Sequence, residues 1–73
     1  MDGYQNLANA IIILASKDYR KELKKLKKNP SNRDAMDQAL ACERFFTSPW
    51  FAELTEVEGS WLMQQLRREV ACA

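Results

Sequence analysis

The chain has no histidine among its 73 residues. That removes the commonest general base and the commonest metal ligand. Glycine occurs only at positions 3 and 59, so no glycine-rich phosphate loop can be built. Without histidine, no Ser–His or Cys–His nucleophile pair is available. No cysteine–aspartate spacing suits a metal. Glu53, Glu56 and Glu58 are close in sequence, but they fall where helices begin and where acids favour the helix dipole. The expectation is a protein that is not an enzyme, with no catalytic residue, no metal and no cofactor.

Cysteine is limited to Cys42 and Cys72. A disulfide framework normally needs four or more cysteines in a secreted chain. The two are read as free thiols of a reducing cytosol, with their pairing left open. The apolar run Ala10–Ala15 is far short of the ~20 residues that span a bilayer, and Asp2 stands where a secretory leader carries basic charge. Cytoplasmic location and no membrane partner are expected. At this length one domain is expected, residues 1–73, with a core too modest to be indifferent to self-association. A homo-oligomer is therefore the expected state.

Charge is balanced overall at +1 but unevenly placed. Lys17, Arg20, Lys21, Lys24, Lys25, Lys27 and Lys28 face only Asp18 and Glu22, a local +5 that leaves −4 for the rest of the chain. Such a patch suits an anionic partner, or the acidic surface of a second copy. It also suits an ordinary solvated face laced with Asp18–Lys21 and Glu22–Lys25 pairs.

What the chain does have is helical periodicity, with no period-two alternation to suggest strands. Tyr4, Leu7, Ala8, Ile11, Ile12, Ala15, Tyr19, Leu23 and Leu26 recur at steps of three and four. They predict a helix from about Tyr4 to Lys28, with Ile13 off its main stripe. Asn29-Pro30 stops it. A second helix starts at Ser31 or Asn32 and ends near Phe46 or Thr47. It carries Ala35, Met36, Ala39, Leu40, Glu43 and Phe46 on one face. Glu43 on that stripe needs a cation, from Arg20, Arg44 or a helix 1 lysine. Ser48-Pro49 reads as N-cap and first residue of a one-turn helix holding Trp50, Phe51 and Leu54. Thr55 and Glu58 match a capping box for a last helix to about Ala71, burying Val57, Trp61, Leu62, Leu66 and Val70. Gly59, in its first turn, is read as a cost in stability or as room for a ring. The fold class is all-α: a small three-helix bundle with an extra one-turn aromatic helix before the last helix.

The densest stretch is Glu43-Arg44-Phe45-Phe46-Thr47-Ser48-Pro49-Trp50-Phe51. Phe46, Phe51 and Trp61 are expected to fill the helix junction. Phe45 and Trp50 adjoin inward-pointing rings at about 100° per residue, so at least one should reach the surface. An exposed ring beside Arg44 is an interface anchor or a stacking platform for a base. The candidate binding residues are therefore Arg20, Lys24, Arg44, Phe45 and Trp50. Nucleic acid is a weaker expectation, because the chain is nearly neutral and Asn29-Pro30-Ser31-Asn32 is a poor helix-turn-helix turn.

Asp18-Tyr19-Arg20, Asn29-Pro30, Glu43-Arg44-Phe45-Phe46, Ser48-Pro49-Trp50-Phe51, Leu54-Thr55, Leu62 and Leu66-Arg67 together resemble a family of short, uncharacterised helical proteins of Firmicutes phages and prophages. The resemblance spans roughly residues 7 to 70. It carries no established activity or site residue. It implies a context in which small accessory proteins act by binding, on host defence or host machinery, in the host cytoplasm. The functional expectation is stoichiometric capture of a host protein, or of a nucleotide-like anionic small molecule held between subunits. A nucleic-acid-binding regulator and a structural subunit of a phage assembly are the alternatives.

Overall fold

The computed structural model describes residues 3–72, with side chains from residue 6 onward. Asp2 and the side chain of Tyr4, both used in the sequence reading, lie outside the described residues. Four helices follow in order: α1 (Gly3–Lys28), α2 (Arg33–Phe46), α3 (Pro49–Leu54) and α4 (Gly59–Cys72). No strand occurs among the described residues. The protein is the expected all-α bundle with a short aromatic helix ahead of its last helix.

Local chemistry sets the breaks. The Asn29 carbonyl accepts from the Asn32 amide at 3.0 Å, and Asn29 Oδ1 accepts from the Ser31 amide at 3.1 Å, closing the turn after α1. Asn32, rather than Ser31, caps α2, its Oδ1 accepting from the Ala35 amide at 3.1 Å. Ser48 Oγ accepts from the Phe51 amide at 3.2 Å, with Pro49 at the first helical position of α3. The capping box at Thr55 does not form. The Thr55 amide still closes α3 on the Phe51 carbonyl, its hydroxyl accepts from the Val57 amide, and its backbone is extended. α4 begins four residues later, with Glu58 supplying the carbonyl for Leu62.

The start of α4 is set by a close approach of two backbones. A Cβ on Gly59 would collide with the Phe46 carbonyl oxygen. Only glycine lets the first turn of α4 lie against the end of α2. Gly59 makes room for a carbonyl, not for a ring.

Tyr19 meets Phe46 and Glu43 on α2, so α1 and α2 run antiparallel. Tyr19 also meets Arg67, and Lys27 Nζ donates to the Val70 carbonyl at 2.9 Å, so α4 runs in the direction of α1. Tyr19, Phe46, Phe51 and Leu66 are fully buried at the junction, with Ala39 and Met63 beside them. Ala35 and Ala39 carry little side-chain bulk at the buried face of α2. Met36 and Leu40 sit about 100° round from those alanines and are exposed, against the single face expected for all four.

Of the stripe expected for α4, Leu66 and Val70 are buried and Leu62 packs against the core, but Gly59 and Met63 complete it in place of Val57 and Trp61. The buried stripe is Gly59, Met63, Leu66 and Val70, at steps of four, three and four. Trp61 lies two residues from both Gly59 and Met63, about 200° round the helix, and is 54% exposed. Val57, in the segment before α4, is exposed as well.

α1 is the long element. Its 26 residues extend ~39 Å, against ~21 Å for the 14 residues of α2 or of α4. The molecule measures 41 × 22 × 18 Å, so α1 accounts for its full length. Leu7, Ile13 and Leu14, in the half of α1 that α2 and α4 are too short to match, are exposed. Ile13 was expected off the main stripe; Leu7 was expected on it.

Candidate binding surface

Phe45 occupies the last turn of α2 and is half-buried. Its ring centroid lies 5.6 Å from those of Phe46, Trp50 and Phe51. The Phe51 contact is edge-on at 90° and the Trp50 contact at 74°, both favoured by the ring quadrupoles. Phe51 goes inward and is buried, whereas Trp50, one residue earlier, is 56% exposed. The Ser48-Pro49 break makes this arrangement. It starts α3 against the end of α2, so Trp50 stands at the surface beside a ring rooted in the core.

The other side of Phe45 closes an open groove of about 440 Å³ between α1 and α2. Ala15, Ala41 and Phe45 supply its apolar wall, and Asp18, Lys21, Glu22, Gln38 and Cys42 its polar side. Cys42 is a half-buried free thiol, and Cys72 is free and exposed. Burial pushes the Cys42 thiol up, and the charges of Asp18, Glu22 and Glu43 push it in the same direction. The thiol therefore stays protonated, a poor nucleophile.

The cationic candidates stand elsewhere. Arg20 turns to α4, its Nε 2.8 Å from Glu69 Oε2. Lys24, one turn further along that side of α1, is exposed. Asp18 and Arg20 are two residues apart, about 200° on the helix, so the groove and the Arg20–Lys24 side face different ways. Arg44 is exposed at the end of α2. The fold thus brings Phe45 and Trp50 together and places Arg20 and Lys24 apart from them within one chain. Of the two expected intrahelical pairs, Glu22–Lys25 forms at 3.0 Å, and Asp18–Lys21 is not formed among the described residues.

Glu43 takes a partner the sequence reading did not include. Arg67 of α4, rather than Arg20, Arg44 or a lysine of α1, places Nη2 2.9 Å from Glu43 Oε2. The Tyr19 hydroxyl donates to the same oxygen at 2.7 Å and accepts from Arg67 Nε at 2.9 Å. Burial alone would raise the Glu43 carboxyl, but the bonds from Tyr19 and Arg67 and the Arg67 charge hold it below the ordinary carboxylate range. The Tyr19 phenol is pushed up to about 12, first by burial and then by its bond to Glu43. These three groups tie α1, α2 and α4 together. They bond one another across the three helices and have the character of a structural clasp.

Among the described residues no cluster of acids and thiols could hold a metal, and no helix is long and apolar enough to cross a membrane. Comparison with known proteins finds no matching family model, no similar curated protein and no similar solved structure.

Proposed function

We propose that this chain is a non-enzymatic binding protein that acts stoichiometrically, through the aromatic face formed by Phe45 and Trp50, as a homo-oligomer. The observation that supports this most directly is the indole of Trp50, more than half exposed and braced edge-on by Phe45. Tryptophan is strongly enriched among residues that carry binding energy, and a ring held by its neighbours loses little freedom on binding. The exposed Leu7, Ile13 and Leu14 on α1 supply further apolar surface for a protein partner or a second copy.

The partner we propose is a protein of a bacterial host. The role is that of a phage accessory factor that blocks a host defence function in the host cytoplasm, as the sequence resemblance implies. Capture of a nucleotide-like anion is the narrower reading. It requires Arg20 or Lys24 of one chain to meet Phe45 and Trp50 of another, since the two sets face different ways in a single chain. A nucleic-acid regulator would need many phosphate contacts and a steep loss of affinity with salt.

Native mass spectrometry of the purified chain, before and after incubation with a lysate of a defence-active host, tests the proposal. A fixed oligomer that takes up a protein at constant stoichiometry is expected. A gain of a few hundred daltons (roughly a nucleotide) would shift the reading to small-molecule capture. A bare monomer that gains nothing overturns it.

A further inference from the structure

The outer face of the α1–α2 pair carries two rows of side chains. On α1, Leu7, Leu14, Lys21 and Lys28 recur every seven residues, so they form one line that drifts only ~20° per repeat. All four are exposed. Lys21 borders the groove toward α2, so the line runs along that groove. On α2, Ala41 and Phe45 border the same groove, and the exposed Asp34 stands seven residues before Ala41 on the same line. α4 meets α1 elsewhere, at Arg20 and Lys27, and leaves this face open.

The two rows are complementary. The helices are antiparallel, so the apolar half of α1 is level with the end of α2 that holds Phe45. The short turn at Asn29–Asn32 sets the lysine end of α1 level with Asp34. Lys21, Lys28 and Asp34 form no ion pair among the described residues. Lys17–Lys21 and Lys24–Lys28 also set like charges four residues apart, which costs helix stability unless a negative surface answers them. A two-fold axis parallel to the helices keeps every level fixed and lays α1 of one copy on α2 of the other. Leu14 then meets Phe45 and Lys28 meets Asp34, each contact made twice, as an isologous interface requires. Laying α1 on α1 in parallel would set lysine on lysine, and an axis across the helices would set lysine on leucine.

We propose that this face is the interface of a homodimer, its occupant a second copy of the chain. The proposal rests on the homo-oligomer of the reading above and says which face makes it. Trp50 flanks Phe45 away from the groove and stays exposed for the host partner. Two helices ~10 Å across, over the ~21 Å of α2 and the further turns of α1, cover roughly 600 Å² per copy, the low end of stable interfaces. A dissociation constant of micromolar order that rises with salt is expected.

The test is sedimentation equilibrium of the purified chain, without lysate, across the micromolar range at low and high salt. The wild type is expected to pass from monomer to dimer. Lys28→Glu and Asp34→Lys are each expected to stay monomeric, because like charges then meet at both contacts. Mixing the two is expected to restore a dimer of one copy of each, because every altered charge then meets its opposite. Leu14→Ala is expected to weaken the wild-type dimer about tenfold with an unchanged circular dichroism spectrum. If either charge variant fails to fold, Leu14→Ala decides, and an unchanged constant overturns the interface. A wild-type monomer at every concentration overturns it together with the homo-oligomer and leaves the face to a host protein. A dimer that both charge variants keep, or a mixture of folded variants that stays monomeric, overturns this interface alone and leaves the homo-oligomer standing.

Discussion

Tyr19 is the residue on which the fold turns. It is completely buried, yet its hydroxyl has both a donor and an acceptor. Tyr19→Phe removes the hydroxyl but leaves the Glu43–Arg67 pair in place, so a loss of about 1 kcal/mol is expected. Its effect on pH dependence is more diagnostic. Below pH ~10 the phenol is neutral in both folded and unfolded chains. Between that value and about 12 the unfolded chain ionises while the native one does not, so stability falls as pH rises through the window. At the acid end the depressed Glu43 carboxyl gives the opposite slope. Its contribution is present above the ordinary carboxylate range and is lost as pH falls through the native value. Melting temperature measured against pH should show the alkaline decline in the wild type and a shallower one in Tyr19→Phe. Identical alkaline limbs would contradict the clasp. Gly59→Ala is the second test at this scale. A methyl group there must displace backbone at the end of α2, so a loss of about 3 kcal/mol in denaturant unfolding is expected, against a small gain at an ordinary helix position.

The helices show how far local sequence carries. Caps and breaks are short-range chemistry, and Asn29-Pro30, Asn32 and Ser48-Pro49 act where their residue types indicate. Asn32→Ala should cost about 1 kcal/mol, read by thermal unfolding, because the Ala35 amide then loses its acceptor. The inward placing of Leu62, Leu66 and Val70 was legible in the periodicity of α4, but the start of its stripe was not. Trp61 and Val57 are more hydrophobic than Gly59, so periodicity weighted by hydropathy misplaces that start. What selects Gly59, Met63, Leu66 and Val70 is a backbone contact with Phe46 that no pattern within α4 contains. The partner of Glu43 was hidden for a related reason. The need for a cation could be read from Glu43 on an apolar stripe, but Arg67 meets it only because α4 returns alongside α1. On the groove side, Asp18 and Glu22 are spaced four apart beside the Tyr19 stripe. Of the pairs that spacing suggests there, Glu22–Lys25 forms and Asp18–Lys21 does not among the described residues.

The whole molecule is asymmetric, a ~39 Å helix partly sheathed by elements about half as long. Its apolar surface follows from that mismatch and from the aromatic turn between α2 and α4. The surfacing of one ring of the Phe45–Trp50 pair was legible, because adjacent helical residues cannot both point inward. The separation of that pair from Arg20 and Lys24 was not, since it depends on which flank of α1 each helix covers. Trp50→Ala decides the central claim, that the chain works by stoichiometric binding through this face. The residue is exposed, so the melting temperature should hardly change while binding is lost. The measurement is the native mass spectrum of wild type and Trp50→Ala after the same host lysate. The account predicts a loaded oligomer for the wild type and an unloaded chain for the folded variant. Equal loading of both, or a bare monomer for the wild type, would contradict it.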